Sequence, residues 1–264
     1  MSSFPLVDIV WLSQKRIKIL MLLTLGPKTA EEIKEELELD LRALHLPLKE
    51  LKEERLVTQE NDTFVLSQLG RIITINAKPA YYLANLFENN TAYWTSRNLS
   101  NIPRTFARRL GELGDCELFE QDLGHMFQLP QKFINSTSKT ENIMSVFSFF
   151  YPEQLYLYNA VAKKGGKVSL ILTEGVCETL QENFPETFCE MSKFNNTEIY
   201  CLQESMSPPA FTVTDNTLLI SFFNKNDRYD HQDILSNNET ALKWGRELFS
   251  YYKDRASIRS TELR

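Results

Sequence analysis

The chain has 264 residues, 42% hydrophobic and 24% charged, with a formal net charge of −6 at pH 7. No stretch is apolar for long enough to span a bilayer, and Met1-Ser-Ser-Phe-Pro5 lacks the blocks of a secretory signal, so a cytoplasmic protein with no membrane partner is expected. The acidic sum weighs mildly against nucleic acid, though local charge matters more than the sum.

Apolar residues at helical spacing (Ile9, Leu12, Ile17, Leu20, Leu23) predict one helix over Ile9–Leu25, stopped by Gly26-Pro27. Thr29, with Glu32 three residues on, forms a capping-box pattern that starts a short helix with Ile33 and Leu37 facing inward. Leu39-Asp40 is a turn, and Asp40 caps a third helix reaching about Arg55. Leu41, Leu44, Leu48 and Leu51 give that helix one apolar stripe, and Arg42, His45, Lys49 and Lys52 give it a basic stripe one position further round. Pro47 inside this helix predicts a kink; the alternative is a bend that fits a groove. Leu56–Gln59 and Thr63–Leu66 are β-type runs around an Asn61-Asp62 turn, which makes a hairpin. Ser67 caps a helical stretch from Gln68 to about Arg97, with a bend expected near Pro79.

Beyond Pro103 the pattern becomes α/β. Apolar residues fill Glu141–Tyr151, Pro152 starts a helix to about Lys163, Gly165-Gly166 turns, and Lys167–Thr173 is a buried strand, which together make a β–α–β unit. A helix (Glu178–Phe184), a strand (Glu198–Leu202), a hairpin (Ala210–Thr214 with Leu218–Phe223) and a last helix (Glu239–Arg255) follow. The fold class expected is an α+β N-terminal winged helix-turn-helix (three helices plus a β-hairpin wing) at 1–67, a helical linker and dimerisation segment at 68–103, and a C-terminal α/β sensor domain with a mixed sheet at 104–264.

In this arrangement the third helix enters the major groove of double-stranded DNA. The DNA-binding residues expected are Thr29, Arg42, His45, Lys49 and Lys52. Arginine reaches guanine edges and lysines reach phosphates. The hairpin tip, Glu60-Asn61-Asp62, is acidic, so its contact with DNA is expected to be weak. Residues 1–76 hold ten Lys and Arg against twelve Asp and Glu, so affinity rests on placement of charge and on dimerisation. A homodimer is expected through Leu69, Ile72, Ile73, Tyr82, Leu83, Leu86 and Phe87, more apolar surface than one small domain covers. In open α/β sheets ligands bind at the carboxyl ends of the strands, which places a small-molecule effector near Tyr151, Thr173 and Glu174. For Glu174 a solvated loop position is the competing expectation.

No catalytic, metal or cofactor site is expected. His45, His125 and His231 show no metal-ligand spacing, and His231-Gln232-Asp233 reads as a surface loop, with weak chelation of a cation as the alternative. No G-x-S-x-G, Walker A or G-x-G-x-x-G run occurs. Cys116, Cys177, Cys189 and Cys201 form no C-x-x-C pair and read as free thiols. The aromatics Phe147, Phe149, Phe150, Tyr151, Tyr156 and Tyr158 read first as core, or else as the walls of an effector pocket.

Three segments carry a family resemblance. Gly26–Ile33 with Leu48–Val57 is similar to ArsR-like domains. The junction Tyr93–Pro103 is similar to an aromatic–His–Asp–Leu–Ser–x–Ile–Pro junction, with Arg97 and Asn98 where His and Asp stand. The ending Trp244–Tyr252 resembles a closing helix. Together they resemble the archaeal winged-helix regulators of the methanogenesis regulatory protein (filR) family. The resemblance implies a cytoplasmic, dimeric archaeal regulator with a C-terminal domain that senses a small molecule. That layout is also similar to the phospholipase D-like sensor of sugar-responsive archaeal regulators. The catalytic H-x-K pair is missing, since Met-Phe follows His125 and Gln-Asp follows His231, so no hydrolase activity is implied. Two functions compete: a ligand-responsive, sequence-specific transcriptional regulator, and a winged-helix protein-interaction module that no longer binds DNA.

Overall fold

The structure is a computed structural model and describes residues 5–120, 128–202 and 208–258. The chain divides into two compact units, Met1–Tyr81 and Tyr82–Arg264.

In the first unit the expected helix over Ile9–Leu25 is broken. α1 (Leu6–Trp11) stops at Leu12, and α2 (Gln14–Leu22) starts behind Ser13, whose hydroxyl accepts the Arg16 N–H. The Arg16 guanidinium donates to the Asp8 and Ile9 carbonyls and to Glu50 Oε2. It thereby adds a second donor to the Asp8 carbonyl, which already accepts the Leu12 N–H, and ties the end of α1 to α2 and α4. A 3₁₀ turn leads to Gly26 at φ 140°, where a side chain would be strained. β1 (Lys28–Thr29) precedes α3 (Ala30–Glu36), which Thr29 and Glu32 cap reciprocally. Asp40 Oδ1 accepts the Ala43 N–H at 2.7 Å and starts α4 (Leu41–Glu53). β2 (Val57–Glu60) and β3 (Thr63–Leu66) form the expected hairpin, with Asn61 at φ 56°, and β1 joins it in the order β1-β3-β2.

Leu44, Pro47, Leu48 and Leu51 bury one face of α4 against Ile17, Leu20, Ile33 and Leu56. Leu41 is exposed, contrary to the expected stripe. At about 100° per residue it lies about 70° from the centre of the arc those four residues occupy.

α5 (Gln68–Asn89) carries the chain from the first unit into the second. It runs through Pro79, where a bend was expected. The break falls at Asn90 (φ −143°, ψ 57°), after which α6 (Thr91–Ser96) begins. The Thr91 hydroxyl donates to the Phe87 and Glu88 carbonyls, taking acceptors at the end of α5. The expected dimer patch separates here. Leu69 and Ile72 are exposed, as are Ile75 and Tyr82, whereas Ile73 lies against the first core, Leu86 is buried in the second, and Leu83 and Phe87 lie against it.

The second unit continues with α7 (Arg104–Ala107), β4 (Glu117–Glu120), α8 (Gln131–Thr137), β5 (Asn142–Phe147), α9 (Pro152–Lys163), β6 (Lys167–Thr173), α10 (Glu174–Asn183), α11 (Pro185–Ser192), β7 (Thr197–Leu202), β8 (Ala210–Val213), β9 (Leu218–Ser221), β10 (Gln232–Ser236), α12 (Glu239–Lys253) and β11 (Ser257–Ile258). Eight strands form one mixed sheet, β11-β7-β6-β5-β8-β9-β10-β4. β5, β6 and β7 are parallel, as the β–α–β pattern predicts, and the other pairings are antiparallel.

Side chains alternate between the faces. Val146, Ile171, Leu218 and Ile220 meet α12 through Trp244, Leu248 and Tyr252. Phe147, Leu170, Leu172 and Leu219 meet the α9–α11 side through Leu155, Tyr158 and Leu180. Gly245 explains itself here, since a Cβ would come within 2.7 Å of Val213 Cγ2.

The hairpin β8–β9 stands where expected. The pattern reading missed α11, placed the start of α10 four residues late, and left out β4, α8, β10 and β11. Gln232 and Asp233 lie in β10, so the expected surface loop at 231–233 is corrected: Asp233 is wholly buried.

Candidate functional site

Two places in the molecule collect functional groups. The first is the outer side of α4. Arg42, His45, Lys49 and Lys52 are all exposed, on an arc about 130° round the helix from the centre of its buried face. Arg42 and His45 have no hydrogen-bond or ion-pair partner among the described residues. Lys49 lies 3.8 Å from Glu53, a loose pair that costs little to break. Lys52 is tied to the hairpin instead: its Nζ donates to Gln59 at 3.0 Å and lies over the Phe64 ring. Thr29 is half-buried, and its hydroxyl is already used in the α3 capping box. Of the expected DNA-binding residues, the cations least engaged within the unit are therefore Arg42 and Lys49.

The second place is at the carboxyl end of β5. Asp233, at the start of β10, has no exposed surface. Its carboxylate accepts from Ser221 Oγ at 2.5 Å, from Tyr229 Oη at 3.0 Å to each oxygen, and from Tyr151 Oη at 3.5 Å. The Tyr151 and Tyr229 hydroxyls also meet each other. Burial pushes the Asp233 carboxyl up to about 6, against the pull of these hydrogen bonds and of the nearby His231. The Tyr229 hydroxyl is pushed up too, by burial first and then by the charge of Asp233.

Beside this cluster Arg97 is buried. Its fork donates to both Asp230 oxygens at 2.6 Å, to Gln232 Oε1 at 2.6 Å and to the Phe222 carbonyl at 3.1 Å, and it stacks on Tyr93. Asn98 adds a bond from its amide to the Phe223 carbonyl and one from its side chain to Asp227. Arg97 and Asn98, which stand at the junction where the resemblance puts His and Asp, thus both hold the loop between β9 and β10.

Of the expected effector residues, only Tyr151 belongs to this cluster. The Thr173 hydroxyl donates to the Phe147 carbonyl, and Glu174 is the exposed first residue of α10, in a helix rather than the loop considered for it. A cleft of about 680 Å³ lies at the other end of the sheet, lined by Lys132, Asp215, Thr217, Asn237 and Arg246. It contains none of the three.

Ser221, Tyr229, Asp233 and Arg97 were not singled out as site residues from the sequence. The one local signal was an Asp within the apolar run Asp233-Ile-Leu235. His125 lies outside the described residues. No group of three or more His, Cys, Asp or Glu among the described residues could hold a metal ion, and no helix there is long and apolar enough to cross a membrane.

Residues 126–255 match the family model of the methanogenesis regulatory protein FilR1, middle domain, a stretch that includes the closing helix of the filR resemblance. The chain is 20% identical over 214 residues to the methanogenesis regulatory protein FilR1 of Methanothrix harundinacea (strain 6Ac), a match covering 79% of this chain. It spans about half (48%) of the length of that relative. Among solved structures it is similar to TrmBL2, an archaeal chromatin protein with a novel mode of DNA binding, at 12% identity, a TM-score of 0.46, and coverage of 96% of this chain and 98% of that one. It is also similar to NucT from Helicobacter pylori, at 16% identity, a TM-score of 0.42, and coverage of 55% and 99%.

Proposed function

We propose that the protein is a sequence-specific DNA-binding transcriptional regulator of the winged helix-turn-helix type, acting as a homodimer in the cytoplasm. Its C-terminal unit senses a small molecule or a partner and has no enzymatic role. The observation that carries the reading is the exposed face of α4, where Arg42 and His45 have no partner among the described residues and Lys49 has only a loose one. The match to a regulatory-protein family supports it. In this reading α4 lies in the major groove, Arg42 reads a base edge and Lys49 meets a phosphate. Lys52 contributes less, because it would first have to leave Gln59. Thr29 acts by fixing the start of α3. The exposed residues Leu69, Ile72 and Ile75, at steps of three along α5, supply the apolar surface of a dimer.

The effector site belongs at the Asp233 cluster, which keeps Tyr151 and leaves out Thr173 and Glu174. Two tyrosine hydroxyls and a buried carboxylate offer oriented hydrogen bonds in a dry setting, which is what small-molecule recognition uses.

The test is fluorescence anisotropy of the full chain with the DNA upstream of its own gene, against a scrambled duplex, at low salt. Tighter binding to the upstream duplex is expected, and its loss in Arg42→Ala/Lys49→Ala. A double variant that binds as tightly as wild type would overturn the assignment. The second reading, a module that binds protein rather than DNA, draws on the acidic balance of residues 1–76. Equal, feeble binding to both duplexes would favour it.

A further inference from the structure

The outer side of α4 is not wholly polar. Leu46 stands on it with 58% of its surface in water. At about 100° per residue it lies about 150° round the helix from the centre of the face that Leu44, Pro47, Leu48 and Leu51 bury. Leu41, the other exposed leucine of α4, is placed differently, about 70° from that centre and at the margin of the buried face.

The neighbours of Leu46 give its position meaning. Arg42 comes four residues before it and Lys49 three after, and all three side chains leave the helix within an arc of about 60°. A single exposed leucine needs no explanation. One seated between two cations is covered by whatever those cations bind. A polyanion that meets Arg42 and Lys49 therefore buries Leu46 in the same step. The major groove of DNA fits that demand. Its walls are phosphates, and its floor offers an alkyl side chain one apolar partner, the C5-methyl of thymine.

An acid fixes which end of α4 can enter. Glu53 is exposed in the same arc, one turn beyond Lys49, and would face phosphates if the C-terminal turn went in. The N-terminal half, which holds Arg42, His45 and Leu46, carries no such charge, and it is the N-terminal end of a recognition helix that meets base edges.

We propose that Leu46 is a specificity-determining residue, which reads the C5-methyl of a thymine in the major groove. The inference rests on the DNA-binding reading of α4. Four residues advance a helix by about 6 Å, and successive bases of a strand are about 3.4 Å apart, so the thymine lies within about two base pairs of the one that Arg42 reads.

The test starts from duplexes that the full chain selects out of a random-sequence pool. A thymine should be enriched within two base pairs of the position whose preference Arg42→Ala relaxes, and Leu46→Ala should relax the preference for that thymine alone. Fluorescence anisotropy then compares the selected duplex with one in which deoxyuridine replaces that thymine, which removes the methyl and keeps the pairing. Wild type should bind the uracil duplex about fourfold more weakly, the factor that burying one methyl allows. Leu46→Ala should bind the two duplexes equally. Its urea unfolding should match wild type, since the residue is exposed. A wild type that selects no sequence overturns the DNA reading and this inference together. A wild type that selects a sequence but is indifferent to the methyl overturns this inference alone. So does a Leu46→Ala variant that still prefers thymine to uracil by the wild-type factor, or one that weakens all duplexes alike, which would make Leu46 a contact without base preference.

Discussion

The two units handle charge in opposite ways. In the first, cations stand on the outside of α3 and α4, in water, and ion pairs such as Lys34 with Glu31 and Lys49 with Glu53 join nearby turns, with Arg16 to Glu50 the long-range exception. In the second, a guanidinium and a carboxylate are buried, and their partners come from far along the chain, Arg97 from Asp230 and Asp233 from Tyr151. Exposed pairs of the first kind are worth little to stability. Groups of the second kind cost several kcal/mol when a partner is removed, because the remaining group is left dry and unpaired. So the first unit's charges are free to serve a partner, and the second unit's charges govern its own folding and pH response.

The sharpest break in that comparison should come from arginine. Arg97→Ala should destabilise the second unit by about 3 kcal/mol, near the lower end for a broken buried pair because Asp230 keeps some solvent. Arg42→Ala should leave the first unit's stability within about 0.5 kcal/mol. Urea unfolding followed by the fluorescence of Trp94 and Trp244, both buried in the second unit, checks the former. Similar, small losses in both variants would erase the distinction.

A second prediction uses pH. The Asp233 carboxyl is raised from its ordinary 3.8 to about 6 in the fold, so the native state binds more protons than the unfolded chain between those values. Stability contributed by the protonated form is therefore fully present below about pH 4 and lost as pH rises through 6, amounting to about 3 kcal/mol. Asp233→Asn should remove that slope. An unchanged slope between pH 4 and 6 in the variant would show that other groups set it.

The difference between the units also governs what the sequence reveals. The first unit is made of neighbours. The capping box at Thr29, the Asp40 cap and the Asn61 turn each depend on residues three or four apart, and all were legible. What failed there was finer: Arg16, reaching back to α1, split a helix that periodicity alone reads as continuous. In the second unit the β–α–β segment was legible because its strands are apolar runs. The polar cluster was not. Ser221, Tyr229 and Asp233 meet Tyr151 only because the sheet order puts β9 and β10 on the far side of β8 from β5, and no local pattern fixes that order. Asp233 looked like loop because an acid in a strand is rare, and Arg97 looked like a departure from a family pattern rather than a clamp.

For DNA affinity, Arg42→Ala should cost about 1–3 kcal/mol of specific binding, and Lys49→Ala should weaken all duplexes alike while lowering the salt slope by about one unit. Titrations at three salt concentrations separate the two. A salt slope unchanged by Lys49→Ala would move the phosphate contact elsewhere on α4.

Thr29 gives the smallest effect and the finest test of where stability ends and recognition begins. Its Oγ1 lies 3.2 Å from the Glu32 N–H that it caps, and its own N–H meets Glu32 Oε2 at 2.6 Å. The hydroxyl is thus committed within the unit before any partner arrives. Thr29→Ala removes the cap and should cost about 1 kcal/mol of first-unit stability. Thr29→Ser keeps the oxygen and should restore it. If Thr29 acts on DNA only by fixing the start of α3, both variants should bind the upstream duplex nearly as well as wild type under conditions where each is fully folded. A Thr29→Ala variant that stays folded but loses tenfold or more in affinity, with Thr29→Ser unaffected, would show that the hydroxyl leaves its cap to meet the DNA. Thr29 would then join Arg42 and Lys49 as a direct contact, and the first unit would spend one of its internal bonds on binding.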